Sequence, residues 1–458
     1  MSMKIDVVSS RIHGYSYSLV ACQAAYLATY YPRVYWNTAY LRTIAGLGED
    51  ETTNYAKVAR GIGDIKSHGT SVSLLDINRS GYAFEPVEEK NEILYGLKAL
   101  NGLGDEVVES IIINRPYASL QDFLDKTNCN KTATISLIKA GAFDQFGERK
   151  DIMWEYLSII SKPKKRITLQ NFAALIEHKL IPPELDFQKR TFQFNKLLKA
   201  NCKDGDVFVL RSGKYYSAYE KHFDIDVLEP HGNKVAVSQK NWKKQYDKIM
   251  KPAKDYLKEH QDELLKALND SLVQEIWAKD ATGGYAHWEM ESLGMYYHDH
   301  ELARMDDLKY GIVEFNNLDE DPEVDYYFKR NGSQIPIYKT HRIAGTVIAK
   351  DDLHSSISIL TKGSGVVNVK MTRDMFAMYN RRISEIMPDG TKKVREQGWF
   401  QRGTLVLLNG FRRQNTFVLK AYKKDRKAGR HQMNKIIDIS DTGDITFTHL
   451  RYGMEQEE

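Results

Sequence analysis

Two glycine turns, each flanked by apolar helical patterning, limit what this chain can fold into more than any other feature. The first follows the apolar stretch Leu94 to Leu100: Asn101-Gly102-Leu103-Gly104 breaks it, and Asp105 to Ile113 restarts a helix. Asp105 is the expected N-cap, with Val107, Val108 and Ile111 on the buried face. A weaker second copy follows, with Lys131 to Lys139 as helix and Ala140-Gly141-Ala142-Phe143 as the turn. Helix, glycine turn, helix is the helix-hairpin-helix pattern. Its glycines let backbone approach a phosphate, and the next helix start offers free N–H groups and a positive dipole end. No base edge is read, so such a module grips DNA without regard to sequence. The DNA-binding candidates here are Lys98, Gly102, Gly104, Lys139 and Gly141. The plain alternative is a pair of glycine helix stops in a helical domain.

Charge supports a polyanionic partner. The net charge is only +4, yet Lys370 to Lys435 holds 17 Lys and Arg against 5 Asp and Glu. The remainder is mildly acidic, so one region concentrates the cations. At 42% hydrophobic and 28% charged residues the chain reads as folded rather than disordered or fibrous. Its 458 residues correspond to about three domains. No run of about 18 apolar residues suggests a membrane span. Cys22, Cys129 and Cys202 have neither metal-ligand spacing nor the even count of a disulfide framework, which fits a reducing cytoplasm.

Residues 12–43 carry Tyr17, Val20, Ala24, Leu27 and Tyr31 at helical spacing, interrupted at Pro32, and 54–62 continue as helix. Val72 to Leu75 suits a short strand, followed by the polar turn Asp76-Ile77-Asn78-Arg79-Ser80-Gly81. Lys162-Pro163-Lys164-Lys165-Arg166 has linker composition, and 167–240 are mixed without a legible fold. Trp242 to Lys279 predicts one amphipathic helix with Leu257, Leu264, Leu268, Leu272 and Ile276 aligned, kinked or started by Pro252.

The last third predicts strands at Ile343 to Ala349, Ser356 to Thr361 and Val366 to Met371. A helix at Asp374 to Arg382 and strands at Thr404 to Asn409 and Thr416 to Tyr422 complete the series. That order matches a five-stranded OB-type barrel. Trp399, Phe400, Phe411, Phe417 and Tyr422 alternate with Arg402, Arg412, Arg413 and Lys420. Cations that follow phosphates and rings that stack on bases are what single-stranded nucleic acid requires. Arg402, Arg412, Arg413, Phe417 and Lys420 are therefore single-strand candidates, with Phe417 equally suited to the barrel core. The expected architecture is a multidomain α+β chain. An all-α region occupies 1–90 and tandem hairpins 91–160. A mixed middle region with a long helix spans 161–332, an OB-type barrel 333–440 and a tail 441–458.

Several strings, in order, resemble the C-terminal part of the bacterial and phage replicative C-family DNA polymerases, the alpha subunit of DNA polymerase III. They are Arg11-Ile12-His13-Gly14-Tyr15-Ser16-Tyr17 with Tyr26-Leu27; Asp76-Ile77-Asn78-Arg79-Ser80; Tyr95 to Gly104; Leu137 to Asp144; and Glu291-Ser292-Leu293-Gly294-Met295-Tyr296 with His300. The resemblance is good over 9–150, moderate over about 285–440 and weak over 160–280. It implies a DNA-directed DNA polymerase, active as part of a complex, with residues 1–90 as the C-terminal part of its fingers. Arg11, His13, Tyr15, Tyr17, Asn78 and Arg79 would then surround the incoming deoxynucleoside triphosphate. Arg11 stands where the family has a lysine, and Gly14 where it has an alanine.

The family's palm precedes the fingers, so the resemblance implies that catalytic carboxylates and their Mg2+ belong to a palm-bearing partner chain. No catalytic or metal-binding residue is assigned on this one. Asp224-Ile225-Asp226 reads as ordinary strand or turn acids, and His287, His298 and His300 as a non-metal string. Primer–template DNA, single-stranded template, nucleotide and a palm chain are the implied partners, in a bacterial or phage-infected cytoplasm. A sliding clamp is a further one, although the stretches at Gln170 and Gln188 match a clamp-binding pentapeptide poorly. The competing functions are a stand-alone DNA-binding accessory protein and a helical scaffold whose hairpins bind protein.

Overall fold

The computed structural model describes residues 2–46, 55–100, 102–201, 203–211, 228–231, 234–363, 365–386, 392–420 and 432–448. Side chains at 2–13 and at 67, 201, 203–204, 210–211, 228–231 and 234–235 lie outside that description. Asp224-Ile225-Asp226 and Tyr422 also fall outside the described residues. The chain divides into two compact units, one of residues 1–152 with 283–458 and one of residues 153–282.

The first unit opens with helices α1 (Ser2–Tyr30), α2 (Arg33–Ile44) and α3 (Tyr55–Ser67). Pro32 separates α1 from α2, as its missing N–H requires. Val34, Thr38 and Leu41, spaced for one face, are buried on α2, as are Val58, Ala59, Ile62 and Ile65 on α3. On α1 the expected apolar spacing forms with its side chains exposed, at Tyr17, Val20 and Leu27, as is Tyr31 just past its end. The N-terminal region is helical but not purely so. Strands β1 (Ser71–Ser73), β2 (Glu85–Val87) and β3 (Glu92–Leu94) form a small sheet in the order β1-β3-β2.

The hairpin region follows as α4 (Asp105–Ile113), α5 (Leu120–Lys126), α6 (Lys131–Lys139) and α7 (Arg149–Ile160). Edge-to-face rings staple it, with Phe123 5.1 Å from Tyr117 and 5.0 Å from Phe143. The stretch before the first turn is not the expected helix. It is the end of β3 and then a 3-10 turn at Leu97–Ala99, because Leu94, Tyr95, Leu97 and Leu100 all point into core.

The second unit contains α8 (Phe172–Glu177) and α9 (Asp186–Asn201). Strands β4 (Lys203–Asp204), β5 (Val207–Arg211), β6 (Leu228–His231) and β7 (Lys234–Ser238) make an antiparallel sheet ordered β4-β5-β7-β6. The expected long helix is three: α10 (Gln239–Ile249), α11 (Lys251–Glu259) and α12 (Gln261–Asp280). Pro252 sits in the first turn of α11, where it starts a helix. The breaks let Leu257, Leu264 and Leu268 share one core with Phe172 and Leu175.

The chain re-enters the first unit through α13 (Tyr285–Leu293) and the short α14 (Asp307–Tyr310), then the hairpin β8 (Val324–Arg330) and β9 (Ser333–Tyr338). A barrel follows from β10 (His341–Asp351), β11 (Ser356–Thr361), β12 (Val366–Lys370), β15 (Leu405–Arg413) and β16 (Thr416–Leu419). Helix α15 (Arg373–Asn380) and the two-stranded β13 (Ile383–Ile386) and β14 (Lys392–Glu396) lie between β12 and β15. Pairing runs β10-β11-β12-β16-β15 and returns from β15 to β10; only β12–β16 is parallel. The sheet therefore closes on itself, which removes the edges of these five strands. Alternate residues fill the interior, among them Ile343, Val347, Ile359, Val369, Leu408 and Phe417, and α15 plugs it with Phe376 and Tyr379. Beyond expectation, β17 (Met433–Ile439) and β18 (Ile445–Thr448) extend the sheet from β15, the last of them inside the expected tail.

Candidate nucleic-acid interface

Gly102 and Gly104 of the first hairpin are both exposed, but they are glycines for different reasons. Gly102 adopts φ +90, a left-handed conformation that side chains rarely tolerate. Gly104 has φ −82, which any residue accepts, and an added Cβ would meet nothing within 4 Å. The fold therefore does not require glycine there, although open space faces that position. Gly104, not Asp105, is the N-cap of α4, and no side chain caps the helix, so its first N–H groups are left open. Asp105 occupies the first helical position and is bound by Lys98 Nζ at 2.6 Å and the Tyr82 hydroxyl at 2.5 Å. The hydrogen bond from Lys98 is the main reason its carboxyl lies below the usual range.

The second hairpin is built differently. Gly141 has φ +80, and a Cβ there would press on Arg149, Asp144 and Leu74. Arg149 fills the turn from α7, with Nη2 2.6 Å from Asp144, Nη1 3.1 Å from Glu289 and Nη1 3.1 Å from the Lys139 carbonyl. Its guanidinium also lies 4.8 Å from the Tyr285 ring. Glu289 is wholly buried and fully satisfied: besides Arg149 it accepts from the Tyr297 and His298 N–H groups at 3.0 Å and meets His298 Nδ1 at 2.6 Å. Lys139 is also buried and reaches Glu291 at 2.5 Å. Of the two residues expected to face DNA, Lys139 instead joins the hairpin to α13 and Gly141 closes the turn around Arg149. A buried cation already paired with a carboxylate does not have its charge available for a phosphate.

The turn before the hairpins is an Asx turn, with Asp76 Oδ1 accepting from the Asn78 and Arg79 N–H groups at 2.9 and 3.1 Å. Asn78 donates to the Tyr117 carbonyl and accepts from its N–H, both at 2.8 Å, which commits its amide to a structural bracket. Arg79 is exposed. Tyr15 and Tyr17 project from α1 with exposures of 80% and 74%. Arg11 and His13 lie on the same helix, with side chains outside the described residues.

The barrel sorts its expected contacts by depth. Phe417 has no exposure and packs in the core, so its ring offers no face to a base; Trp399, Phe400 and Phe411 are buried likewise. Arg402 stacks 3.6 Å from the Tyr55 ring centroid and donates to the Ile348 and Glu291 carbonyls at 3.4 and 3.3 Å, clamping α3 and α13 to the barrel. Arg412 donates to the Leu318 and Gln414 carbonyls at 2.7 and 2.8 Å and pairs with Glu320 at 3.4 Å. Arg413 and Lys420 are exposed, Arg413 near the Tyr338 and Phe411 rings. The interior claims Phe417, and structural contacts occupy the half-buried Arg402 and Arg412; Arg413 and Lys420 remain at the surface.

The histidines resolve into separate contacts. His300 Nδ1 accepts from the Leu302 N–H at 3.0 Å, and its Nε2 faces the Leu360 carbonyl at 3.2 Å. Burial pushes its pKa down to about 4, so it is neutral at pH 7. His287 lies 3.4 Å from Glu301, whose hydrogen bond raises its pKa. Among the described residues, no group of three or more His, Cys, Asp or Glu side chains could hold a metal ion. Arg149 and Glu289 escaped sequence reasoning. A single arginine at a helix start gives no local sign of a partner 140 residues away.

Residues 69–153 match the helix-hairpin-helix motif family. The chain is 37% identical over 461 residues to "Probable DNA polymerase YorL" of Bacillus subtilis and, equally, to the "DNA-directed DNA polymerase" of Bacillus phage SPbeta. Each alignment covers 96% of this chain and 35% of the relative. A stretch of 151 residues, 31% of the chain, is 36% identical to the DNA polymerase III subunit alpha of Thermus aquaticus and covers 12% of it. The chain thus spans about a third of the length of its full-coverage relatives.

Proposed function

We propose, from the premise that this chain is related to the C-family DNA polymerases and corresponds to a C-terminal portion of them, that it holds primer–template DNA for a polymerase whose palm is supplied by a partner chain. The observation that carries the reading is Gly104. A glycine that the backbone does not need, at an uncapped helix start facing open space, suits close approach of a phosphate. The match to the helix-hairpin-helix family supports the same contact; Lys98 beside it is half-buried and would have to exchange Asp105 for the phosphate. The second hairpin, locked by Arg149, serves as the rigid base that aims the first.

The barrel is of OB type in this reading. Its pairing order, first-second-third-fifth-fourth and back to the first with one parallel pair, supports that assignment. Single-stranded template would pass over its surface near Arg413 and Lys420. The incoming nucleotide would meet Arg11, His13, Tyr15 and Tyr17 of the fingers, with Arg79 nearby and Asn78 holding the turn that carries it. The family's chemistry uses Mg2+ to activate the attacking oxygen and neutralise the leaving phosphate. Among the described residues no group of three or more His, Cys, Asp or Glu side chains fits such a site; in this reading the chain binds and orients DNA and nucleotide.

Primer extension tests the proposal, using this chain, a palm-bearing polymerase chain, and both together. Extension only with both is expected; robust extension by this chain alone would overturn the division of labour. DNA binding without any complementation would instead favour a stand-alone accessory protein.

A further inference from the structure

The hairpin formed by β8 and β9 is a two-stranded sheet joined to no other strand among the described residues. Its register places Tyr326, Phe328 and Arg330 opposite Ile337, Ile335 and Ser333 on one face, and Tyr327 and Lys329 opposite Pro336 and Gln334 on the other. Packing accounts for its stem: Tyr338 lies 4.9 Å from Phe411, the Gln414 N–H donates to the Glu320 carbonyl at 2.6 Å, and Lys339 pairs with Glu323. Packing does not account for its outer half, where Tyr327 is 59% exposed, Phe328 52% and Ile335 40%. Two bare strands are marginal in water, and large rings shown to solvent on both faces are an unusual use of apolar surface.

Charge identifies the ligand. The five acids of 319–325 sit at the stem, whereas 326–338 contains Lys329 and Arg330 and no acid. Cations are thus segregated to the tip, beside the exposed rings. The stem packs on the β15–β16 turn, so the ribbon rises next to exposed Arg413. We infer that this ribbon is a single-strand-binding arm: Phe328 and Tyr327 stack on unpaired bases while Lys329 and Arg330 hold the adjoining phosphates. The inference deepens the proposed function and rests on it. Duplex DNA offers no free base faces to these rings, and an apolar protein partner would not call for a cation on the same face as each ring.

The test uses the full chain and labelled oligothymidylate, followed by fluorescence anisotropy across a salt series. Tyr327→Ala with Phe328→Ala is expected to weaken binding by about tenfold or more and leave the salt slope unchanged. Lys329→Gln with Arg330→Gln is expected to lower the slope of log affinity against log salt by about 1.4, for two single-strand phosphate contacts. Phe328→Trp, which keeps a ring in place, should give a fluorophore quenched on addition of the oligonucleotide. Wild-type binding that survives both double substitutions, with no quenching at position 328, overturns the arm while leaving DNA binding intact. Failure of the wild type to bind DNA overturns the proposed function itself.

Discussion

At the level of single residues, glycines and arginines of similar appearance turn out to have different tasks. Gly104→Val keeps an allowed backbone and meets open space, so its melting temperature should match wild type while duplex affinity falls about tenfold; unchanged affinity would remove the hairpin contact. Arg413→Ala should weaken single-strand binding at unchanged stability, whereas Arg412→Ala strands the Leu318 carbonyl and should cost about 1–3 kcal/mol in urea unfolding. His300 gives a pH test. Its folded pKa lies near 4, below its unfolded value of 6.5, so the unfolded chain takes up the proton first as pH falls. Its contribution is present above pH 6.5 and is lost progressively toward pH 4, a loss on the order of 3 kcal/mol. His300→Gln should flatten that part of the stability curve relative to wild type. His287, raised by Glu301, contributes in the opposite sense and is left intact by the substitution.

At the level of elements, what was legible in the sequence was whatever depends on near neighbours. Pro32 ending α1, the glycine turns, α6, α13 and the barrel strands all follow from short-range pattern. What was illegible depends on distant partners. Apolar Leu94 to Leu100 has no helical length because Tyr95 must reach the Leu293 carbonyl, 2.8 Å away. Lys139 has the spacing of a DNA contact but the burial of a core residue, since α13 brings Glu291 to it. Phe417 alternates with cations as a stacking residue would, and that alternation is equally the inward period of a closed sheet. The ionic seam between the second hairpin and α13 is an element-level joint. Arg149→Ala leaves Glu289 buried without its cation and should cost about 3–5 kcal/mol by chemical denaturation. The reverse charge pair, Arg149→Glu with Glu289→Arg, is not expected to restore it, because the Tyr297 and His298 N–H groups would face a cation.

At the level of the whole molecule, the first unit is assembled from the two ends of the described chain, and the second unit is spelled between them. A ribosome emitting about 5–20 residues per second therefore delivers Lys139 and Arg149 well before the carboxylates they require. The 140 residues between Arg149 and Glu289 take roughly 7–28 s to make. During that interval Asp144 already pairs with Arg149, but Lys139 lacks Glu291 and Arg149 lacks Glu289, so the seam to α13 is not yet neutralised. The hairpin region thus completes its ionic pairing only once α13 has been made, a timer written into gene order rather than into any contact.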